Sequence, residues 1–316
     1  MKLLQGIFSA TLSVAMFCVG VLAYGADATV APVKLRCEYL TNPRGLDVRA
    51  PRLSWIVESV DENAIGDSQS AYRIRVDASE SAASALSGEI WDSGWVESNA
   101  TAQIVYSGSE LKSDSAYYWT VQIKAQNGVE SKASAIATWS SGLFDQAEWT
   151  AKWIGTGYLE EGETDLAKTK GFDPSTGLCN SPWLRKTFEL SGAPSRATFF
   201  VASCGYHEVY VNGEKVDQES VLAPNVSNHK YRALYIAYDI APYLKSGKNT
   251  IALWLGGGWG VYGEYATPDR PLTPIVLAQT DIVSQDGEKT RIATDSSWKV
   301  GKSSSSICGA GTFGQF

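Results

Sequence analysis

"SAYYWTVQIKAQNG", Ser115–Gly128, places Tyr117, Trp119, Val121, Ile123 and Ala125 on one side of an extended chain. Tyr118, Thr120, Gln122 and Lys124 fall on the other side. A period of two is the mark of a β-strand with one buried face, and the aromatic and β-branched content agrees. Asn127-Gly128 then supplies a hairpin turn, because both residues tolerate the positive φ such a turn needs. "AYRIRVDAS", Ala71–Ser79, repeats the pattern, with Tyr72, Ile74 and Val76 opposed to Arg73, Arg75 and Asp77. "RLSWIVES" and "TAQIVYSG" read as further strands, and Pro43, Pro51 and several glycines mark the turns between them. About seven short strands in roughly 110 residues is the pattern of a fibronectin III/immunoglobulin-like sandwich. The first domain is therefore expected over residues 29–144.

Residues 145–180 begin with Trp149 and Trp153 and then turn polar, which reads as a connecting strand followed by a surface loop. A second alternating series opens at "PWLRKTFEL", Pro182–Leu190. "RATFFVASCGYHEVYVNGEKV", Arg196–Val216, reads as a hairpin turning at Asn212-Gly213. "ALYIAYDIAPYL" and "NTIALWLGG" follow as strands, and "TPIVLAQTDIVSQDGEKTRIATDSSWKV" as a strand pair turning at Asp286-Gly287. The expectation is an all-β chain: a second β-sandwich of jelly-roll type over residues 181–316, truncated at its C-terminus. No strong helical periodicity appears in the mature chain.

The chain has 34 acidic and 27 basic residues, a net charge of −7, and no basic run. That argues against nucleic acid, whose phosphates need clustered Lys and Arg. Eleven Trp and 15 Tyr suit β-sheet cores and sugar stacking. Lys2, the apolar "IFSATLSVAMFCVGVLA" (Ile7–Ala23) and "ADA" (Ala26–Ala28) read as a cleaved signal peptide over residues 1–28. A periplasmic or secreted protein with no membrane span after cleavage is expected. Met16-Phe17 before Cys18 does not fit a lipoprotein signal. Cys37, Cys179, Cys204 and Cys308 remain, widely spaced, which disfavours a zinc or redox site and leaves buried thiols ahead of disulfides. The sequons at Asn99 and Asn225 are at chance level.

Chemistry is sparse. His207 and His229 are the only imidazole bases, and no G-x-S-x-G accompanies them. His207 lies in a strand pattern and reads as a sheet residue. The run Glu160, Glu161, Glu163 and Asp165 reads as a solvated loop, without the ligand spacing of a calcium site. "LGGGWGVYGEY", Leu255–Tyr265, is either a sugar-facing aromatic loop carrying Trp259 and Glu264 or a glycine turn with Trp259 packed inward. "APNVSNHKYR", Ala223–Arg232, contributes Asn225, Asn228, His229 and Arg232 between two strands; its Asn oxygens and backbone carbonyls suit calcium or sugar hydroxyls, or it forms a turn and no more.

Taken together, the residues resemble the N-terminal region of bacterial α-L-rhamnosidases. "LRCEYLTNPRGLDVRAPRLSWIVES", "QSAYRIRVDAS", "WDSGWVES", "YYWTVQIKAQNG", "ATWSSGLF", "WTAKWIG", "SPWLRKTFEL", "CGYHEVYVNGEKV", "LAPNVSNHKYRALYIAYDI", "GKNTIALWLGGGW" and "ATDSSWKV" follow that family's order. They cover nearly all of Val33–Val300. The resemblance implies that the catalytic acid and base lie on a later helical barrel, so no catalytic residue is carried over and no activity is expected from this chain in isolation. The sequence reads as a fragment. The resemblance also implies a jelly roll that in some members binds L-rhamnose with calcium. Gly-Gly-Gly-Trp-Gly (Gly256–Gly260) and Ser227-Asn228-His229 depart from the family's pattern there and remove an acid and an amide. Trp259, Asn228, Arg232 and Glu264 are the sugar-binding candidates. The reading is a non-catalytic N-terminal portion of a rhamnosidase-like glycoside hydrolase acting on rhamnose-containing glycans. A stand-alone carbohydrate-binding module and a surface interaction protein are the alternatives.

Overall fold

The computed structural model describes residues 28–60, 66–155, 181–220, 223–229, 231–257 and 274–301. The leader, the acidic run at Glu160–Asp165, Trp259, Glu264, Cys18, Cys179 and Cys308 lie outside these residues.

The first sandwich is built from β1 (Val30–Cys37), β2 (Arg52–Ser59), β3 (Gln69–Asp77), β4 (Trp91–Asp92), β5 (Val96–Glu97), β6 (Ile104–Val105), β7 (Ala116–Ala125) and β8 (Ala137–Ser140). One sheet runs β1-β2-β6 and the other β4-β3-β7-β8, with β5 also on β3. The alternation expected of β7 holds: Tyr117, Trp119, Val121, Ile123 and Ala125 are all buried. They face Leu53 and Trp55 of β2 in one apolar cluster with Ile74, Val76 and Trp139. Trp139 is the hub of its aromatics, stacked on Tyr117 at 5.3 Å and meeting Trp119 edge-on at 6.3 Å. Gly128 closes the β7 turn with φ +80°. An α-helical turn, α1 (Glu80–Ser84), is capped by the Ser79 hydroxyl accepting from Ala82 N–H.

The second sandwich takes β9 (Ile154–Gly155), β10 (Trp183–Leu190), β11 (Pro194–Cys204), β12 (Tyr206–Val211), β13 (Glu214–Lys215), β14 (Tyr235–Asp239), β15 (Gly247–Gly256), β16 (Ile275–Ser284), β17 (Lys289–Ala293) and β18 (Lys299–Gly301). Its sheets run β13-β12-β15-β10-β18 and β14-β11-β16-β17, with β9 on the start of β16. Phe199, Val201, Ile251, Leu253, Leu255, Val276 and Ala278 fill the space between them. The fold is two β-sandwiches, as the alternation requires.

One expected pairing is corrected. Arg196–Val216 is not a single hairpin. The hairpin at Asn212-Gly213 joins only β12 to β13, and β11 pairs with β14 and β16 in the opposite sheet. The chain changes sheets at Gly205, whose φ is +108° and where a Cβ would sit 2.4 Å from Gly256 O. Only glycine fits that corner.

The two sandwiches are joined through the linker. Gln279 Oε1 accepts from Thr150 N–H (2.8 Å) and Ala151 N–H (3.2 Å), while its Nε2 donates to Glu148 O (2.8 Å). Trp149 packs edge-on against Phe200 and Tyr235. Lys152 and Thr294 exchange two further bonds, from Lys152 N–H to Thr294 O and from Thr294 Oγ1 to Lys152 O. Directly between the sandwiches, Arg196 Nη1 donates to Asp114 Oδ1 (2.6 Å) and Asp114 O (2.8 Å). The Tyr235 hydroxyl donates to Gly45 O at 3.3 Å, and a Cβ on Gly142 would overlap that hydroxyl.

Trp119 is fully buried at the centre of the first sandwich. Trp119→Ala is expected to lower the unfolding free energy by about 3–5 kcal/mol, as large core truncations do. Urea denaturation followed by far-UV circular dichroism checks this, and a loss under about 1 kcal/mol would show that the site collapses around the gap.

Candidate functional site

Strands β11, β12, β14, β15 and β16 all begin or end at one end of the second sandwich: Cys204 pairs with Ile275, Tyr206 with Gly256 and Ala202 with Tyr235. The loop 223–232 is fixed to the same end, where Ala223 O accepts from His207 N–H at 2.8 Å. Within the loop, Asn228 O accepts from Tyr231 N–H (3.0 Å) and Arg232 N–H (3.1 Å). The Ser227 hydroxyl donates to Arg232 O at 3.1 Å. This turn brings Asn228 and Arg232 together, and both are exposed, as is Tyr231. These bonds leave the Asn228 and Arg232 side chains on the surface.

Trp259 and Glu264 lie outside the described residues. The described residues that flank them, Gly257 and Pro274, both stand against Gly205. The Asn228 carbonyl already accepts two N–H groups, and no cluster of three His, Cys, Asp or Glu among the described residues could hold a metal ion.

His207 is buried in β12, as a sheet residue. Its Nδ1 lies 2.8 Å from Ser203 Oγ and its Nε2 lies 3.0 Å from the Tyr238 hydroxyl. Ser203 Oγ donates its proton to Gly205 O at 3.0 Å. The hydroxyl must therefore accept from Nδ1–H, and Nε2 accepts from Tyr238. This polarity is the reverse of a serine activated by a base, which needs an imidazole lone pair aimed at the hydroxyl proton. Burial also pushes the His207 pKa down to about 3 and the Tyr238 phenol well above its usual range. The trio is a neutral, satisfied core network. The two described cysteines, Cys37 and Cys204, are likewise buried, and burial raises Cys37 to about 12, far from a reactive thiolate.

A polar cleft of about 380 Å³ opens between the sandwiches and the linker, lined by Asp114, Glu148, Arg196, Phe200, Asp281 and Arg291 among others. Burial raises the Asp114 pKa against the pull of Arg196, whereas hydrogen bonds from Arg291 lower that of Asp281. These groups satisfy one another: Arg291 Nε meets Asp281 Oδ1 at 2.6 Å, and the Ser113 hydroxyl donates to Glu148 Oε2 at 2.8 Å. Sequence reasoning did not single them out, because Asp114 and Arg196 are 82 positions apart. The available signal was parity: Arg196, Asp281 and Arg291 fall on the strand face opposite the apolar one.

The family comparisons agree with this geometry. Residues 32–145 match the Rha78A-like, N-terminal immunoglobulin domain, and residues 192–311 match the alpha-L-rhamnosidase N-terminal domain. The chain corresponds to the N-terminal region of α-L-rhamnosidases. An alpha-L-rhamnosidase of Formosa agariphila is 30% identical over 278 residues, covering 82% of this chain and 28% of the relative. The solved alpha-L-rhamnosidase of Dictyoglumus thermophilum superposes with a TM-score of 0.73 at 30% identity, over 86% of this chain and 29% of that one. The Streptomyces avermitilis alpha-L-rhamnosidase complexed with L-rhamnose shares the fold, with a TM-score of 0.72 at 21% identity over 86% of this chain and 41% of that one. The chain spans between 24% and 30% of the length of the curated relatives it matches. No helix among the described residues is long and apolar enough to cross a membrane.

The neutral state of His207 gives this rhamnosidase-type region a defined acid response. Its folded pKa, about 3, lies below the unfolded value of 6.5. The unfolded chain therefore takes up a proton that the folded chain refuses, and stability is lost as pH falls below 6.5. Chemical denaturation between about pH 6.5 and 5, above the main carboxylate range, is expected to show this slope. His207→Gln, which keeps a donor and an acceptor, should flatten it. An identical slope in the variant would assign the acid response to other groups.

Proposed function

We propose that this chain is the non-catalytic N-terminal portion of an exported rhamnosidase-like glycoside hydrolase that acts on rhamnose-containing glycans. The observation that carries the reading is the hydrogen-bonded seam between its two family domains. Gln279, Trp149 and the Arg196–Asp114 pair hold them in one arrangement, which suits a part that supports and positions a catalytic domain. His207 supplies no base for the chemistry, since it faces its serine as a donor from a buried, neutral ring. Glycoside hydrolysis would need two carboxyl groups flanking the substrate, roughly 5–10 Å apart. Asp114, Glu148 and Asp281 in the cleft are instead engaged with Arg196, Ser113 and Arg291.

The rhamnose-containing glycan is proposed to meet the loop 223–232, because Asn228 and Arg232 stand exposed and adjacent there. Trp259 and Glu264, outside the described residues, are the other candidates for that contact. This same arrangement supports the second reading, a carbohydrate-binding module that works without a barrel.

The purified chain is expected to release no product from an aryl α-L-rhamnoside. Turnover abolished by one Asp or Glu substitution within it would overturn the non-catalytic reading. In titration calorimetry with L-rhamnose, Asn228→Ala and Arg232→Ala should each weaken binding by about three- to tenfold, the worth of one polar contact. Unchanged affinity in both variants would move the sugar elsewhere.

A further inference from the structure

The outer face of the β13-β12-β15-β10-β18 sheet carries a feature that neither the loop 223–232 nor the family match accounts for. Leu184, Leu253, Leu255, Val209 and Val211 point inward, so Trp183, Arg185, Trp254, Glu208 and Tyr210 point outward. Trp183 and Trp254 are direct cross-strand partners, stacked at 5.1 Å with planes 6° apart. Tyr210 meets Trp183 edge-on at 5.1 Å. All three rings are half-buried, not sunk in the core. On the other flank of Trp183 the pairing residue is Gly301, where even a Cβ would find nothing nearer than Trp183 Cβ at 4.0 Å. β18 therefore sets no side chain over the indole face turned away from Trp254.

One step along the same strands, Arg185 pairs with Lys299 across the β10–β18 ladder. Both are exposed, and neither has an ion partner among the described residues. By contrast Lys215, at the far edge, is already held by Glu208 at 2.6 Å. Two adjacent cations with no ion partner among the described residues, beside a half-buried indole whose β18 partner is a glycine, stand out on a chain of net charge −7. Arg185 lies two residues from Trp183, roughly 7 Å along the strand, within reach of one sugar ring and its substituents.

From this placement we infer that the sheet face binds a saccharide bearing carboxylates, a uronic-acid-containing glycan. The C–H face of one pyranose ring stacks on Trp183, and its carboxylate is held by Arg185 and Lys299. An aromatic face supplies apolar contact to the ring, and an Arg fork with a neighbouring ammonium matches a carboxylate. The site is separate from the loop 223–232, and its failure would leave the proposed function untouched.

The test is titration of the full chain with tri-galacturonic acid at low salt, read by tryptophan fluorescence, with the neutral galactose trimer as comparison. Saturable quenching by the acidic trimer is expected, weakening as salt is raised. The paired variant Arg185→Gln/Lys299→Gln, two exposed positions that should not disturb folding, is expected to cost about three- to tenfold in affinity and to remove the salt dependence. Trp183→Leu should weaken binding further, with circular dichroism confirming the fold. Three results would overturn the inference: no saturable response, equal affinity for the neutral trimer, or binding lost in Asn228→Ala but kept in both sheet variants.

Discussion

Gln279 stands on the outer face of β16, where a polar side chain would ordinarily meet water. It is instead 3% exposed, and its amide is spent on the backbone of the linker. Backbone N–H groups buried at a seam need partners, and leaving one unsatisfied costs about 1–3 kcal/mol. One amide side chain answers two of them and donates to a carbonyl as well. Without it the linker would have to take water into the seam beside Trp149, whose ring fills the gap between Phe200 and Tyr235. The attachment of the linker to the second sandwich rests largely on this buried polar contact. Apolar area alone would allow sliding, whereas hydrogen bonds fix direction.

The charged pairs around the cleft act on the same seam but less strongly. Arg196 is over a third exposed as it meets Asp114, so water screens part of the attraction. The pair selects an orientation more than it adds stability. Close approach is then permitted by small residues: Gly142 and Gly45 leave room for Tyr235 and Ala237, and any side chain at those positions would push the sandwiches apart.

Much of this fold was legible because its signals are local. The alternation in β7 and β3, and the turns at Asn127-Gly128, Asn212-Gly213 and Asp286-Gly287, depend on neighbours in sequence. What was not legible depends on distant partners. The sheet change at Gly205 is dictated by Gly256 and Gly257, and no turn residue other than the glycine itself announces it. The short strands β4 and β5 hold two residues each, too few to show a period. At the site, Asn228 and Arg232 were legible as a polar cluster between strands. The stacking of Trp183 on Trp254 was not, since 71 positions separate them and only the β10–β15 register brings them face to face.

The position of β10 has a consequence for how such regions are inherited. The second family domain is matched from residue 192, yet β10 spans Trp183–Leu190 and lies between β15 and β18, inside the sheet. β9, further upstream, extends the opposite sheet. A gene rearrangement that carried residues 192–311 alone into a new protein would strand β15 with an unpaired edge and uncover Leu253 and Ile251. Such an edge invites pairing with other chains. The unit able to move between proteins therefore begins before Trp149, so that the sandwich and its attachment to the preceding domain travel together.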